Sequence, residues 1–153
     1  MPEPDRGIIE AKAAIAADLR RILPKDNVIV KDDALRAYES DGLTAYRQPP
    51  LIVVLPETAE QVAAILKYCD RRAIKVVPRG AGTSLSGGAL PLADGILLSL
   101  GKFNRILEVD FENRCVVTQP GVTNLRITEA VQHEGFYYAP DPSSQIACSI
   151  CGN

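Results

Sequence analysis

Histidine is almost missing from this sequence. His133 is the only one in 153 residues, and the four cysteines, Cys69, Cys115, Cys148 and Cys151, are scattered. A zinc site needs a second ligand pair to match Cys148 and Cys151, and the chain has none, so no metal ligands are assigned. Four cysteines are also too few for the disulfide framework of a small secreted domain, and reduced thiols in a cytosolic protein are expected. An excess of one charge is missing too. Seventeen Lys and Arg face nineteen Asp and Glu, a net charge of −2, which gives no electrostatic footprint for nucleic acid or an anionic membrane. No apolar run approaches the ~20 residues of a membrane span. The opening ten residues mix acids with prolines and lack the apolar core of a signal peptide. There is no internal repeat and no low-complexity tract.

What remains is an ordinary globular mixture, 46% hydrophobic and 24% charged, long enough for one domain or two small lobes. Residues 8–23 read as a helix with Ile8, Ile15, Leu19 and Ile22 on one side, ended by Pro24. Residues 27–48 are polar and irregular. After Pro49-Pro50, residues 51–55 (LIVVL) read as a buried strand, 58–72 as a helix and 74–78 as a second strand. Thr58 and Gln61 give that helix a capping box, and Val62, Ile65, Leu66 and Cys69 recur at helical spacing. A strand, a crossover helix and a strand predict two parallel, paired strands. Three short strands follow, at 95–100, 105–110 and 114–119, the last two closing a hairpin. A helix over 123–134 is capped by Thr123 and stopped at Gly135, before a tail rich in Pro and Ser. The expected class is α+β, a small parallel lobe followed by an antiparallel one.

One stretch carries chemistry. Gly80, Gly82, Gly87 and Gly88 lie within PRGAGTSLSGG, from Pro78 to Gly88, directly after the second predicted strand. Glycine accepts positive φ and lets backbone approach a ligand, so consecutive N–H groups can form an anion-binding concavity. Thr83, Ser84 and Ser86 add hydroxyls, and no residue of the loop is acidic. A phosphate or diphosphate suits it. Two common phosphate motifs fail: the dinucleotide fingerprint needs glycine where Leu85 stands, and the P-loop needs lysine where Gly88 stands. A surface turn that binds nothing is the bland alternative. Arg79 fits either of two roles, countering phosphate charge or pairing at a strand end.

Three blocks in order extend this reading: residues 78–88, then Pro120-Gly121-Val122, then PDPSSQ from Pro140 leading to CSICGN at 148–153. Together they resemble the FAD-binding domain of the vanillyl-alcohol-oxidase/PCMH superfamily. The likeness is nearest to FAD-linked 2-hydroxy-acid oxidoreductases acting on glycolate or D-lactate. It spans residues 51–153, and residues 1–50 resemble that family's helical leader. The resemblance implies that Gly80, Ala81, Gly82, Thr83 and Ser84 hold the FAD diphosphate, with Gly88 and Ala89 closing the turn. It implies that Pro142 and Ser149, beside Gly152 and Asn153, line the flavin and its ribityl chain. Members that attach flavin covalently carry histidine at the position of Thr83, so noncovalent FAD is implied.

The implied activity is oxidation of a 2-hydroxy acid to its 2-oxo acid. Other subunits of a hetero-oligomeric oxidase are the implied partners, and the location is cytoplasmic, free or peripheral at the inner membrane face. A non-catalytic FAD- or nucleotide-binding subunit completed by a partner chain is the alternative. The family's domain continues beyond the position of Asn153, so the chain reads as an N-terminal piece with an incomplete antiparallel lobe. The family's catalytic histidines and metal ligands fall outside it, and no catalytic residue is assigned. Cys151 stands where the family has glycine, either crowding the site or pointing away. Cys148-x-x-Cys151 ends an irregular tail rather than opening a helix, which favours coincidence over a redox pair. Asp141 and Tyr137-Tyr138 are open between cofactor contact and local structure.

Overall fold

The computed structural model describes residues 3–140 and 142–152. At its centre lies a four-stranded sheet built from β1 (Val28–Ile29), β2 (Ile52–Val54), β3 (Lys75–Arg79) and β4 (Gly95–Ser99), in the order β1-β2-β4-β3. Both β2 and β3 run parallel to β4, while β1 is antiparallel to β2. A separate antiparallel hairpin joins β5 (Ile106–Asp110) to β6 (Cys115–Thr118). The mixed class expected from the sequence is present, with one sheet that is parallel apart from its edge strand β1 and one antiparallel hairpin.

Strand pairing differs from expectation in one respect. The strands of the β-α-β unit are parallel but do not touch, because β4 lies between them. The strand predicted at 95–100 therefore belongs to the parallel sheet and not to the antiparallel lobe. The reason is chemical. An interior parallel strand is covered on both faces and reads as an unbroken apolar run; β4 (GILLS) is buried at every position. β3 instead carries Lys75, Arg79 and Pro78, and a proline without an N–H belongs on a sheet edge.

Helices cover both faces. The expected helix over 8–23 divides into α1 (Arg6–Glu10) and α2 (Lys12–Leu19), with Ala11 between them and Asp5 accepting the Gly7 and Ile8 amides. Ile15 and Leu19 of α2 pack with Ile65 and Cys69 of α4 (Ala59–Arg71) against Ile52, Val54, Ile96 and Leu98. On the opposite face Leu35 of α3 (Asp32–Leu35) covers Val53, Val77 and Leu97. The segment read as irregular thus supplies an edge strand and a helix. α4 starts as predicted, with Thr58 Oγ1 accepting the Gln61 N–H at 3.3 Å, though Gln61 Oε1 accepts from Glu57 N–H rather than from Thr58. α5 (Asn124–Val131) follows its Thr123 cap, and Gly135 closes the turn after it at φ +78°.

The two adjacent residues Ile65 and Leu66 separate the faces of α4: Ile65 is 0% exposed and Leu66 46%. Ile65→Ala is expected to lower unfolding free energy by about 2–5 kcal/mol, and Leu66→Ala by under about 1 kcal/mol. Urea denaturation of both variants checks the orientation.

Candidate functional site: a glycine-lined crossing

Because β3 and β4 are neighbours and parallel, the chain leaving Arg79 must travel back to the start of β4. Residues 80–94 make that journey without helix or strand. Asp94 ties down the far end, accepting from Lys75 Nζ at 2.6 Å and from Asp5 N–H at 2.8 Å. At the near end, Gly82 and Gly87 both adopt φ +77°, a conformation that favours glycine. Ala81 N–H donates to Ser149 Oγ at 3.1 Å and Ser86 N–H to Ser84 Oγ at 3.3 Å. Among the described residues, the Gly82, Thr83, Ser84 and Leu85 amides have no protein acceptor.

The three sequence blocks meet here. Ile150 N–H donates to Val122 O at 2.8 Å and Cys151 N–H to Pro120 O at 3.1 Å, which anchors the third block on the second. Gly121 in turn lets the second block lie against the chain after β4, since a Cβ there would lie 2.5 Å from Leu100 O and 2.6 Å from Phe103 O. The third block then presses on the first. A Cβ on Gly80 would strike Ser149 Oγ and lie 2.6 Å from Cys151 Sγ. Cys151 Sγ is 3.3 Å from Ser149 Oγ, so this side chain points inward.

Between the blocks lies a cavity of about 450 Å³. Gly80, Ala81, Gly82, Thr83, Ser84, Gly88, Ala89, Ser149 and Gly152 line it. Arg79 lines it too, and no carboxylate does among the described residues. Pro142 does not reach the cavity; its carbonyl accepts Gln145 N–H at 2.9 Å and turns the tail. Asn153 and Asp141 lie outside the described residues. Tyr137 and Tyr138 are elsewhere, in an apolar groove of about 220 Å³ between the β5–β6 hairpin and α5, with Phe111 and Phe136. His133 stands edge-on to Phe111, ring centroids 5.7 Å apart.

The sequence reading missed the floor of the site. Residues 38–43 run beneath the glycine loop: Leu43 N–H donates to Ser84 O at 3.2 Å, and a Cβ on Gly42 would lie 2.8 Å from Thr83 O. Arg79 Nη1 donates to Tyr38 O at 3.1 Å, and its guanidinium folds against Gly82 and over the Tyr38 ring. Burial pulls the Arg79 pKa down, while the charge of Asp41 opposes that shift. The one signal in the sequence was the pair Asp41-Gly42, a common turn dipeptide.

Fold and site together define an α/β domain with a cavity beside the glycine loop whose described lining holds no carboxylate. The chain belongs to the FAD binding domain family, whose model matches residues 50–153. It is 50% identical to glycolate oxidase subunit GlcD of Escherichia coli (strain K12) over 153 residues, all of this chain and 30% of that protein. It is 40% identical to D-lactate dehydrogenase of Archaeoglobus fulgidus over 121 residues, 78% of this chain and 27% of that protein. The chain thus spans under a third of the length of these relatives. Among solved structures, alkyldihydroxyacetonephosphate synthase superposes with a TM-score of 0.80 at 18% identity, covering 99% of this chain and 29% of that one. p-Cresol methylhydroxylase with substrate bound gives a TM-score of 0.71 at 27% identity, covering 86% and 26%. The fold is therefore of the PCMH type. No helix among the described residues is long and apolar enough to cross a membrane.

Two predictions follow from the packing. Gly80→Ala is expected to break the Ala81–Ser149 hydrogen bond and cost about 1–3 kcal/mol of stability, with Cys151→Gly in the same chain recovering part of it; thermal denaturation of the two variants reads this out. Cys69 is buried, and burial pushes its thiol up to about 11. A thiol reagent at pH 8 is expected to label exposed Cys115 and Cys151 in the native protein, and Cys69 and Cys148 only after unfolding.

Proposed function

We propose that this chain is the FAD-holding part of an oxidoreductase that converts a 2-hydroxy acid of the glycolate or D-lactate type to its 2-oxo acid. The observation that carries the reading is the cavity after β3, where the Gly82, Thr83 and Ser84 amides have no protein acceptor among the described residues. A diphosphate is matched by such donors, by the hydroxyls of Thr83, Ser84 and Ser149, by Arg79 as counter-charge and by the absence of a carboxylate from the described lining. The chemistry of the donor set fits the cofactor that the family binds.

In this reading Gly80, Ala81, Gly82, Thr83 and Ser84 hold the diphosphate, and Gly88 and Ala89 close the turn. Ser149 and Gly152 border the flavin side. Thr83 offers a hydroxyl where covalent attachment would use an imidazole, so the FAD is noncovalent and dissociable. Bound FAD supplies a hydride acceptor, and the residues of this chain bind and orient it. Residues 51–153 form the FAD-binding unit and residues 1–50 a leader packed against it. Substrate class comes from the relatives named as glycolate oxidase and D-lactate dehydrogenase, and the word subunit in the former suggests companion chains.

A second reading, a non-catalytic FAD-binding subunit completed by a partner chain, is favoured by the apolar groove with its exposed Phe111, Phe136 and Tyr137. It predicts turnover only after the partner is added.

The test is a visible flavin spectrum of the purified protein before and after adding FAD, then dialysis to show release. Gly82→Asp places a negative charge among the diphosphate donors and is expected to weaken FAD binding by about 10–100-fold. A Gly82→Asp protein that holds FAD as tightly as the parent sinks the assignment.

A further inference from the structure

Asp41 is 6% exposed. Its Oδ1 accepts Leu43 N–H at 3.0 Å, and its Oδ2, also buried, has no hydrogen-bond partner in the described structure. A carboxylate in that state needs a nearby cation to offset its desolvation. Its charge acts through space on Arg79, which makes no ion pair with it within 4 Å but is tied to the same segment three residues earlier, at Tyr38; Arg79 is the only cation among the described residues that line the cavity. Arg79 spends one N–H on Tyr38 O, and a guanidinium has five to give. Its remaining donors lie against Gly82, in the middle of the loop whose amides have no protein acceptor.

We propose that Asp41 is the positioning residue of the cofactor site: buried under the glycine loop, it holds the Arg79 guanidinium beside Gly82, where that charge meets the diphosphate of FAD. The proposal rests on the FAD reading above. It adds a determinant of specificity for a charged diphosphate ligand, located in the segment ahead of the region the family model covers. The geometry makes the arrangement stiff. Residues 41–43 are clamped to the loop through the Leu43–Ser84 hydrogen bond and the Gly42 contact with Thr83 O, so displacing Asp41 displaces both the cation and the amides.

FAD affinity is measured at low and high salt for the parent, Arg79→Gln, Arg79→Lys, Asp41→Asn and the Arg79→Gln/Asp41→Asn double variant, each checked for a parent-like melting curve. Arg79→Gln is expected to weaken FAD binding about 10–100-fold and to flatten its salt dependence, which a purely structural role would not do. Arg79→Lys retains part of both. Asp41→Asn weakens binding several-fold when Arg79 is present and adds nothing once Arg79 is glutamine, the mark of residues acting through each other. Additive losses, weaker binding with an unchanged salt dependence, or an Arg79→Gln protein that binds as well as the parent overturn the proposal. If Asp41→Asn does not fold, the salt dependence of the two Arg79 variants decides. A parent that binds no FAD overturns the FAD reading and this proposal together, whereas a parent that binds FAD with indifferent variants overturns this proposal alone.

Discussion

Two parallel neighbours in a sheet must be joined by chain that runs the length of a strand, and between β3 and β4 that chain has no helix. A helix would have satisfied its own backbone. The glycine-rich crossing instead leaves Gly82, Thr83, Ser84 and Leu85 with donors that find no acceptor among the described residues. Everything at the site is arranged around this deficit. Gly80 is bare so that Ser149 and Cys151 can close over it, and Gly121 is bare so that the second block can lie against Leu100 and Phe103.

The crossing does not stand alone. Its lower side rests on residues 38–43, which come from a stretch with little regular structure and hydrogen-bond to Ser84 through Leu43. The same N-terminal region lends β1 to the sheet and Ile15 and Leu19 to the core. It therefore shapes the site as well as covering the sheet. A buried carboxylate with one unsatisfied oxygen costs stability. Its charge acts on the one cation of the described cavity lining, the kind of local conflict that functional sites retain.

Cys151 is where this chain departs from the glycine its resemblance implies. Its sulfur points toward Ser149 and Gly80, so the departure narrows the cavity and does not face away. The apolar groove beside the hairpin is a different matter. Its lining residues are distinct from those of the glycine-loop cavity, and Tyr137 and Tyr138 line it beside the hairpin.

Local chemistry was legible in the sequence. The Thr58 and Thr123 caps, the Gly135 stop, the hairpin at 106–118, the burial of Ile65 and Cys69 (though not of Leu66, grouped with them) and the loop from Gly80 to Ala89 all follow from residue type and spacing, because neighbours along the chain fix them. The break at Ala11 was not legible, since Ile8, Ile15 and Leu19 keep one helical period across it. Nor was the insertion of β4 between β2 and β3, although Pro78 marked β3 as an edge and GILLS marked β4 as an interior strand. Which strand takes the centre depends on what covers both faces, and that is settled only when α2, α3 and α4 pack. For the same reason Tyr38, Asp41 and Gly42 were invisible as site residues. They lie 40 to 44 positions before Gly82 in sequence and meet the loop only through the fold, by contacts that no local period encodes. The sequence by itself determined the glycine crossing and its donors; tertiary packing alone decided what stands beneath it.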